Sequence, residues 1–186
     1  MILDPSFYVR SEVVQIAREL LGKIVCTRIA GKITTGRIVE TEAYSHKERG
    51  CHAFQNRMTD RNRVMFREGG HAYVYLCYGI HNLFNIVTNT EGIADAVLIR
   101  ALAPVEGGQR MMKRMKTKSL RRITSGPGKL TKAMGIDRSF NGKYLGGDKV
   151  WVEDRGKLIN KTEIAATRRI GIEFAKEDSE DRKSVV

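Results

Sequence analysis

The chain has 186 residues, of which 41% are apolar, and its 33 Lys and Arg outnumber its 21 Asp and Glu by 12. This length and composition can bury one substantial core, and no linker is visible, so we expect a single domain. The positive charge predicts a polyanionic partner, nucleic acid before an anionic membrane. Three cysteines that lie far apart without CxxC spacing argue against a disulfide scaffold and for a reducing compartment.

Targeting and cofactor signals are absent from the sequence. The N-terminus has no basic region followed by an apolar core, and no uncharged apolar run reaches about 18 residues, so a soluble intracellular protein without a membrane partner is expected. Cys51 and His52 come nearest to a metal motif, but adjacent residues seldom chelate one ion. We therefore expect no metal and no cofactor.

Apolar periodicity and turn signals predict an alternating series of elements. Asp4 and Pro5 are typical of a helix N-cap and first turn, and Ser11 is the predicted cap of the next helix. The predicted helices are 11–21, 105–120 and 129–134, and the predicted strands are 23–30, 33–44, 72–78, 82–88, 94–103, 148–153 and 164–172. A long polar connection at 45–70 is functional or disordered, and 176–186 is predicted to be a mobile tail.

The second strand, which contains GRIVETEAY at 36–44, is the first candidate site. Strand side chains alternate between faces, so Glu40, Glu42 and Tyr44 project to one side. Two carboxylates beside an aromatic ring indicate a site wall, although a solvent-facing edge gives the same pattern. Arg100 interrupts a later apolar strand and needs an acidic partner, since an unpaired buried charge is costly. Glu40 and Glu42 are both candidates, and parity does not choose between them.

Aromatic residues and one histidine offer further candidates. His52 lies in the long connection, where a lone histidine is more often simply exposed. Tyr73 and Tyr75 share a face of the third strand, whereas Tyr78 has the opposite parity and is assigned to the turn with Gly79. A tyrosine at a hairpin tip is either an exposed aromatic or, on a basic protein, a wedge that enters stacked bases.

Most of the excess charge lies in residues 109–138. This segment contains ten Lys or Arg and one Asp, which leaves nine of the twelve net positive charges there. Within it, Ser125 and Gly126 open a turn into a helix that carries Lys129 and Lys132, and such a helix start can hold a phosphate. The GxxxxGK[ST] spacing of a P-loop is absent. We predict a basic nucleic-acid surface, with a solvated helix or tail as the alternative.

Taken together and in order, the motifs resemble one family, the alkyladenine (3-methyladenine) DNA glycosylases of the mammalian type, which also occur in bacteria. The specificity lies in the combination, since no single motif identifies the family. The matching segments are GRIVETEAY at 36–44, His52, RNRVMF at 61–66, HAYVYLCYGIHNLFNIV at 71–87, VLIRALAPVEG at 97–107, SGPGKLTKAMGI at 125–136 and RRIGI at 168–172.

The resemblance implies a catalytic group and a base pocket. Glu42, not Glu40, is implied to be the base that activates the attacking water, and Arg100 and the backbone carbonyl of Ile170 to help hold that water. Asn85 is implied to disfavour the 2-amino group of guanine. The implied pocket walls are Tyr44, His52 and Tyr75.

The resemblance also implies how DNA is held. Tyr78 is the implied wedge that fills the gap left in the duplex by the extruded base. The residues predicted to contact DNA are Tyr78, Gly79, Ser125, Gly126, Lys129 and Arg138.

The implied fold is a single mixed α/β (α+β) domain with a curved, mostly antiparallel sheet, surrounding helices and a protruding β-hairpin. The implied enzyme acts in DNA repair by flipping an alkylated or deaminated purine out of duplex DNA and hydrolysing its N-glycosidic bond. Expected substrates are 3-methyladenine and 7-methylguanine, with hypoxanthine and ethenoadenine as further candidates. Because an acid holds the position of a nucleophilic lysine, we expect a monofunctional glycosylase. A monomer is expected because one duplex fills one basic face. It would be cytoplasmic in a bacterium and nuclear in a eukaryote.

The C-terminus departs from the family pattern. From residue 175 the sequence reads AKEDSEDRKSVV in place of an aromatic, Arg-containing closing segment, which predicts a weakened last strand, DNA binding or stability. The alternative function is a non-catalytic nucleic-acid-binding domain of the same fold. The predicted pairing of a carboxylate with Arg100 argues against it, because a pure binder gains nothing from an acid among phosphates.

Overall fold

Among the residues that the structure describes, one antiparallel sheet of eight strands organises the fold, and three short α-helices pack around it. The structure, a computed structural model, describes residues 1–170 and 182–186. The helices are α1 Val13–Leu20, α2 Gly108–Met115 and α3 Pro127–Met134, and the strands are β1 Ile24–Ile29, β2 Lys32–Tyr44, β3 Ala72–Cys77, β4 His81–Thr88, β5 Asp95–Glu106, β6 Val150–Glu153, β7 Ala165–Thr167 and β8 Lys183–Val185. The predicted α+β fold with a curved antiparallel sheet is confirmed.

The central strand of the sheet is β2. The strand order is β3-β4-β5-β2-β1-β6, and β8 joins β7 to the same sheet. One edge of β2 pairs with β5, whereas its other edge pairs first with β1 through Lys32–Arg37 and then with β8 through Glu40–Glu42. Register shifts occur beside Gly36 and on both sides of Glu40, and such bulges increase the bend and twist of a strand. The segment with the two carboxylates is therefore enclosed by a strand on each side.

The two faces of β2 have different chemistry. One face joins the main core, where Ile38 and Ala43 pack with the apolar side of α1 and the Thr41 hydroxyl donates to the Ala17 carbonyl oxygen. The other face carries Glu40 and Glu42, which alternate with Thr41 and Ala43 as predicted. The alternation breaks before Glu40, because the register shift between Ile38 and Glu40 leaves Ile38, and not the predicted Val39, in the core. A second apolar cluster beneath the 45–70 connection includes Cys51, Met65, Phe66 and Tyr73. The two carboxylates therefore lie on the face of β2 opposite α1.

Three predicted helix boundaries are wrong. Ser11 does not cap α1, because the N-cap position is Glu12 and the Ser11 hydroxyl donates to the Glu12 carboxylate instead. The helix predicted at 105–120 is shorter, since β5 continues to Glu106 by pairing with Thr35 of β2. It ends at Met115 because Lys116 adopts a left-handed φ of 54°. Tertiary strand pairing has overridden the local helical pattern.

The chain ends in a paired strand. The prediction at 164–172 corresponds to β7, and 171–172 lie outside the described residues. Residues 176–186 were predicted to be a mobile tail; 176–181 lie outside the described residues, but β8 at Lys183–Val185 pairs with both β2 and β7. Across residues 1–170 and 182–186, no helix is long and apolar enough to cross a membrane.

Candidate active site

Glu42 is fully buried and surrounded by hydrogen-bond donors. Its side chain has 0% exposure. The Tyr44 hydroxyl donates to Oε2 at 2.9 Å, Arg100 Nη1 donates to Oε2 at 3.2 Å, and the Ile170 backbone N–H donates to Oε1 at 3.0 Å. An ionised carboxylate offers about four acceptor sites, so the described residues leave one for a water. The geometry suits a carboxylate that orients and deprotonates that water.

Arg100 has the acidic partner that its position demands, and in fact it has two. Its Nε donates to Glu40 Oε1 at 3.0 Å while Nη1 contacts Glu42, and its side chain is 12% exposed. Both sequence candidates are therefore used. Burial, which parity cannot reveal, separates them, because Glu40 is 19% exposed and Glu42 is not exposed at all.

A cross-strand row connects Glu42 to a recess in the sheet. Register places Tyr73, Asn85, Leu98 and Glu42 directly opposite one another across β3, β4, β5 and β2. Directly paired residues share a face of the sheet, and neighbouring strands lie about 4.8 Å apart. Asn85 is therefore about 10 Å from Glu42, two strands away.

The recess has aromatic walls and opens to solvent. Its empty volume, including the open mouth, is about 390 Å³. All four predicted pocket residues line it. The lining residues are Tyr44, Gly50, Cys51, His52, Met65, Tyr73, Tyr75, Asn85 and Ala96.

The side chains in the recess are fixed by contacts with one another. His52 Nδ1 lies 3.0 Å from the Tyr73 hydroxyl, and its ring meets that of Tyr75 edge-on at 4.5 Å between centroids. The Asn85 amide donates to the Tyr73 carbonyl oxygen at 3.2 Å. The recess is thus largely preorganised, and Asn85 has a defined orientation.

His52 is a neutral wall. The residue is partly exposed to solvent, but its ring lies against Tyr75, and desolvation together with the charge of Arg61 lowers the pKa of His52 to about 4. Burial raises the pKa of Tyr75 to about 12, and burial followed by the charge of Glu42 raises the pKa of Tyr44. None of these three walls carries a charge at pH 7.

Sequence reasoning missed two arginines that contact the aromatic walls. The Arg169 guanidinium carbon lies 4.7 Å from the centroid of Tyr44, and that of Arg61 lies 5.2 Å from the centroid of Tyr75. Both distances are within cation–π range. Arg61 lies in the RNRVMF motif and Arg169 in RRIGI, so the motifs contained both residues, but only the tertiary structure shows which rings they contact.

The hairpin tip presents the predicted wedge to solvent. Tyr78 is 89% exposed, and it adopts a φ of 50°, while Gly79 follows with a φ of 72°. Left-handed backbone is unfavourable for a tyrosine and tends to occur at functional positions. The tip lies beyond the strand pair that carries Tyr75 and Asn85, and its role as a wedge stays a prediction.

The predicted phosphate-binding segment adjoins this hairpin rather than the recess. Ser125 and Gly126 precede α3, Lys129 is exposed on it, and Arg138 is exposed in the following turn. A Cβ atom on Gly128 would lie 2.9 Å from the ring of His81 in the hairpin, so the two segments pack tightly. Their DNA contacts stay a prediction.

Part of the basic segment has a structural role. Arg110 donates to the Ile33 carbonyl oxygen, and Arg114 Nη1 donates to the Ala133 carbonyl oxygen at 2.8 Å. Both are partly buried, so they tie α2 to β2 and α3. The exposed basic residues that can face a polyanion are Lys113, Lys116, Lys118, Arg121, Arg122, Lys129, Lys132 and Arg138.

Comparisons with known proteins agree with this geometry. A family model for the methylpurine-DNA glycosylases matches residues 6–183. The chain belongs to the methylpurine-DNA glycosylase family. The predicted DNA glycosylase, a hydrolase of DNA repair that acts on DNA, is confirmed at the level of this family.

Three relatives of similar length are named for a 3-methyladenine DNA glycosylase activity. The relative from Carboxydothermus hydrogenoformans is 43% identical over 95% of this chain and 92% of its own. The relative from Chlamydia felis is 41% identical over 95% and 91% of the two chains. The relative from Chlorobaculum tepidum is 45% identical over 91% and 81%. The similarity to these relatives therefore covers more than nine-tenths of the chain.

Proposed function

We propose that this chain removes 3-methyladenine and other N-alkylated purines from duplex DNA by hydrolysing the N-glycosidic bond, with Glu42 as the general base. The observation that carries the proposal is a fully buried carboxylate with three donors and acceptor capacity for a water, in the same sheet row as an aromatic recess. A base must leave the stack before its bond to the sugar can be attacked. The recess suits such an extruded base.

The residue types fit the proposed chemistry. Cleavage of the glycosidic bond develops positive charge on the sugar, and a nearby carboxylate both stabilises that charge and accepts a proton from the water. Alkylated purines are electron-poor, so aromatic walls such as Tyr44 and Tyr75 attract them. The implied roles of Arg100 and the Ile170 carbonyl are part of the proposal; the described contact of Ile170 to Glu42 runs through its N–H.

The substrate range is proposed to include 7-methylguanine, with hypoxanthine and ethenoadenine as neutral purines of similar shape. We further propose a monofunctional reaction that leaves an abasic site, because the base position holds an acid and not a lysine.

The test is single-turnover release of free base from an alkylated duplex. Wild type is compared with Glu42→Gln and with the matched control Glu106→Gln, which removes a carboxylate paired to Arg155 outside the site. General-base help is worth about 10² to 10⁴ in rate, so Glu42→Gln should lose about that factor while still binding the duplex. Failure of the wild type to release a base, or full activity in Glu42→Gln, would refute the proposal.

The monofunctional step has its own test. Alkali should cleave the product strand at the abasic site, and borohydride should trap no covalent adduct. A trapped adduct would contradict the hydrolytic step, but it would not contradict the proposal that the chain releases a damaged base.

A further inference from the structure

Glu40 has no part in the proposed reaction, yet it is largely buried and doubly paired. Its Oε1 accepts from Arg100 Nε at 3.0 Å and from Lys183 Nζ at 2.9 Å. The side chains of Glu40 and Lys183 are 19% and 15% exposed. A largely buried charge is stable only when an oppositely charged partner compensates its desolvation. The ion pair therefore holds the side chains of Glu40 and Lys183 in place.

Arg100 is shared between the two carboxylates. Its Nε faces Glu40 while its Nη1 faces Glu42 at 3.2 Å. The guanidinium is a rigid planar fork, so the bond to Glu40 fixes the position from which Nη1 reaches Glu42. Four charges then alternate in sign along the chain of contacts Glu42, Arg100, Glu40 and Lys183.

A bulge in β2 makes this sharing possible. Register with β5 shifts on both sides of Glu40, which pairs with Ala101. A bulge redirects the side chain that it carries. Glu40 and Glu42 can therefore approach different nitrogens of one guanidinium.

Lys183 comes from the far end of the sequence. It lies on β8, directly opposite Glu42 in the β2 register, with Ser184 opposite Thr41. Arg182, just before it, pairs with Glu48 at 3.0 Å. The C-terminal strand, which departs from the family pattern in sequence, thus delivers a cation to the catalytic strand.

We propose that Glu40 and Lys183 are positioning residues for the hydrolytic reaction: together they set how strongly Arg100 engages Glu42. This inference rests on the proposed function. Without Glu40, Arg100 has Glu42 as its only carboxylate partner among the described residues and stabilises its ionised form, which makes it a weaker base. Without Lys183, Glu40 holds Arg100 more strongly and its negative charge favours protonation of Glu42.

The other groups around Glu42 do not replace this control. The Tyr44 hydroxyl and the Ile170 N–H contact it directly. Tyr75 lies within electrostatic range of Glu42 and Arg100. The Arg169 guanidinium stacks over the Tyr44 ring. These groups are the same in every variant proposed below, so they contribute a constant background.

The experiment measures the single-turnover rate of base release against pH, together with duplex affinity. Glu40→Gln should slow release by up to about 10²-fold, the cost of a misplaced group of this kind, and should leave duplex affinity unchanged. The acid limb, which is the fall in rate on the low-pH side of the profile, should move to lower pH. Lys183→Gln should move the acid limb to higher pH, and Lys183→Arg should restore it. The control Glu106→Gln removes a carboxylate that is paired with Arg155, which also contacts Glu153. It should change neither the rate of release nor the position of the acid limb.

The two variants must move the acid limb in opposite directions, which a merely structural role cannot produce. Slower release in both with the limb unmoved would overturn the inference. A wild-type rate and pH profile in Glu40→Gln, measured where Glu42→Gln is inactive, would also overturn the inference. That result would not contradict the proposed function. A wild type without base release would instead refute the proposed function itself.

Discussion

Removal of the Arg100 guanidinium should destabilise the fold through the charge that it leaves behind. In Arg100→Met, Glu40 keeps Lys183 at 2.9 Å, whereas Glu42, with 0% exposure, loses its only ion pair among the described residues. Breaking a buried pair from one side costs about 3–5 kcal/mol. For a domain of this size each kcal/mol is worth about 2–4 °C, so the melting temperature should fall by about 6–20 °C.

The assays are a thermal melt for the melting temperature and urea unfolding at pH 7 for the free energy, both followed by circular dichroism and by the fluorescence of Trp151, the single tryptophan, which is buried. The double variant Arg100→Met with Glu42→Gln should recover most of the loss, because no unpaired charge remains. Arg155→Met removes an exposed arginine that bridges two glutamates and should cost less than about 1 kcal/mol. A stable Arg100→Met, or additive losses in the double variant, would refute the reasoning.

Three further outcomes are expected. The pKa of His52 is lowered to about 4 from 6.5, so the unfolded chain takes up this proton before the folded protein does as pH falls. The free energy of unfolding should therefore decline from about pH 6.5 to 4. In His52→Gln the shift of the urea midpoint over that range should be smaller. Gly135→Ala should destabilise more than Gly79→Ala in thermal melts, since both have a φ of 72° but only at Gly135 would a Cβ meet an isoleucine side chain, at 2.5 Å. Lys129→Gln should reduce the salt slope of duplex binding by about 0.9 if it contacts a phosphate, whereas Arg110→Gln, whose guanidinium donates to a backbone carbonyl, should leave the slope unchanged.

Several site features followed from local rules. Alternation placed Glu40, Glu42 and Tyr44 on one face, and the cost of an unpaired charge required an acid for Arg100; both are confirmed. Parity also grouped Tyr73 with Tyr75, which line one recess. These rules work because strand geometry and desolvation act on each residue wherever the strand lies.

The predictions that concern distant pairing were wrong or incomplete. The helix predicted from residue 105 lost its start to β5, because Glu106 gains a partner in β2 that no local pattern reveals. The predicted C-terminal tail ends in β8, whose polar sequence has little strand periodicity. Its pairing with Glu40–Glu42 joins residues more than 140 positions apart.

The sequence by itself determined which residues face the site and that a buried cation there must find an acid, since both follow from the chemistry of single strands. Only the tertiary structure decided that Glu42 is fully buried, whereas Glu40 forms ion pairs with both Arg100 and Lys183. It also decided that Arg169 lies on the ring of Tyr44. Burial and charge pairing depend on which strands flank a residue, and that is fixed by pairing across the whole chain.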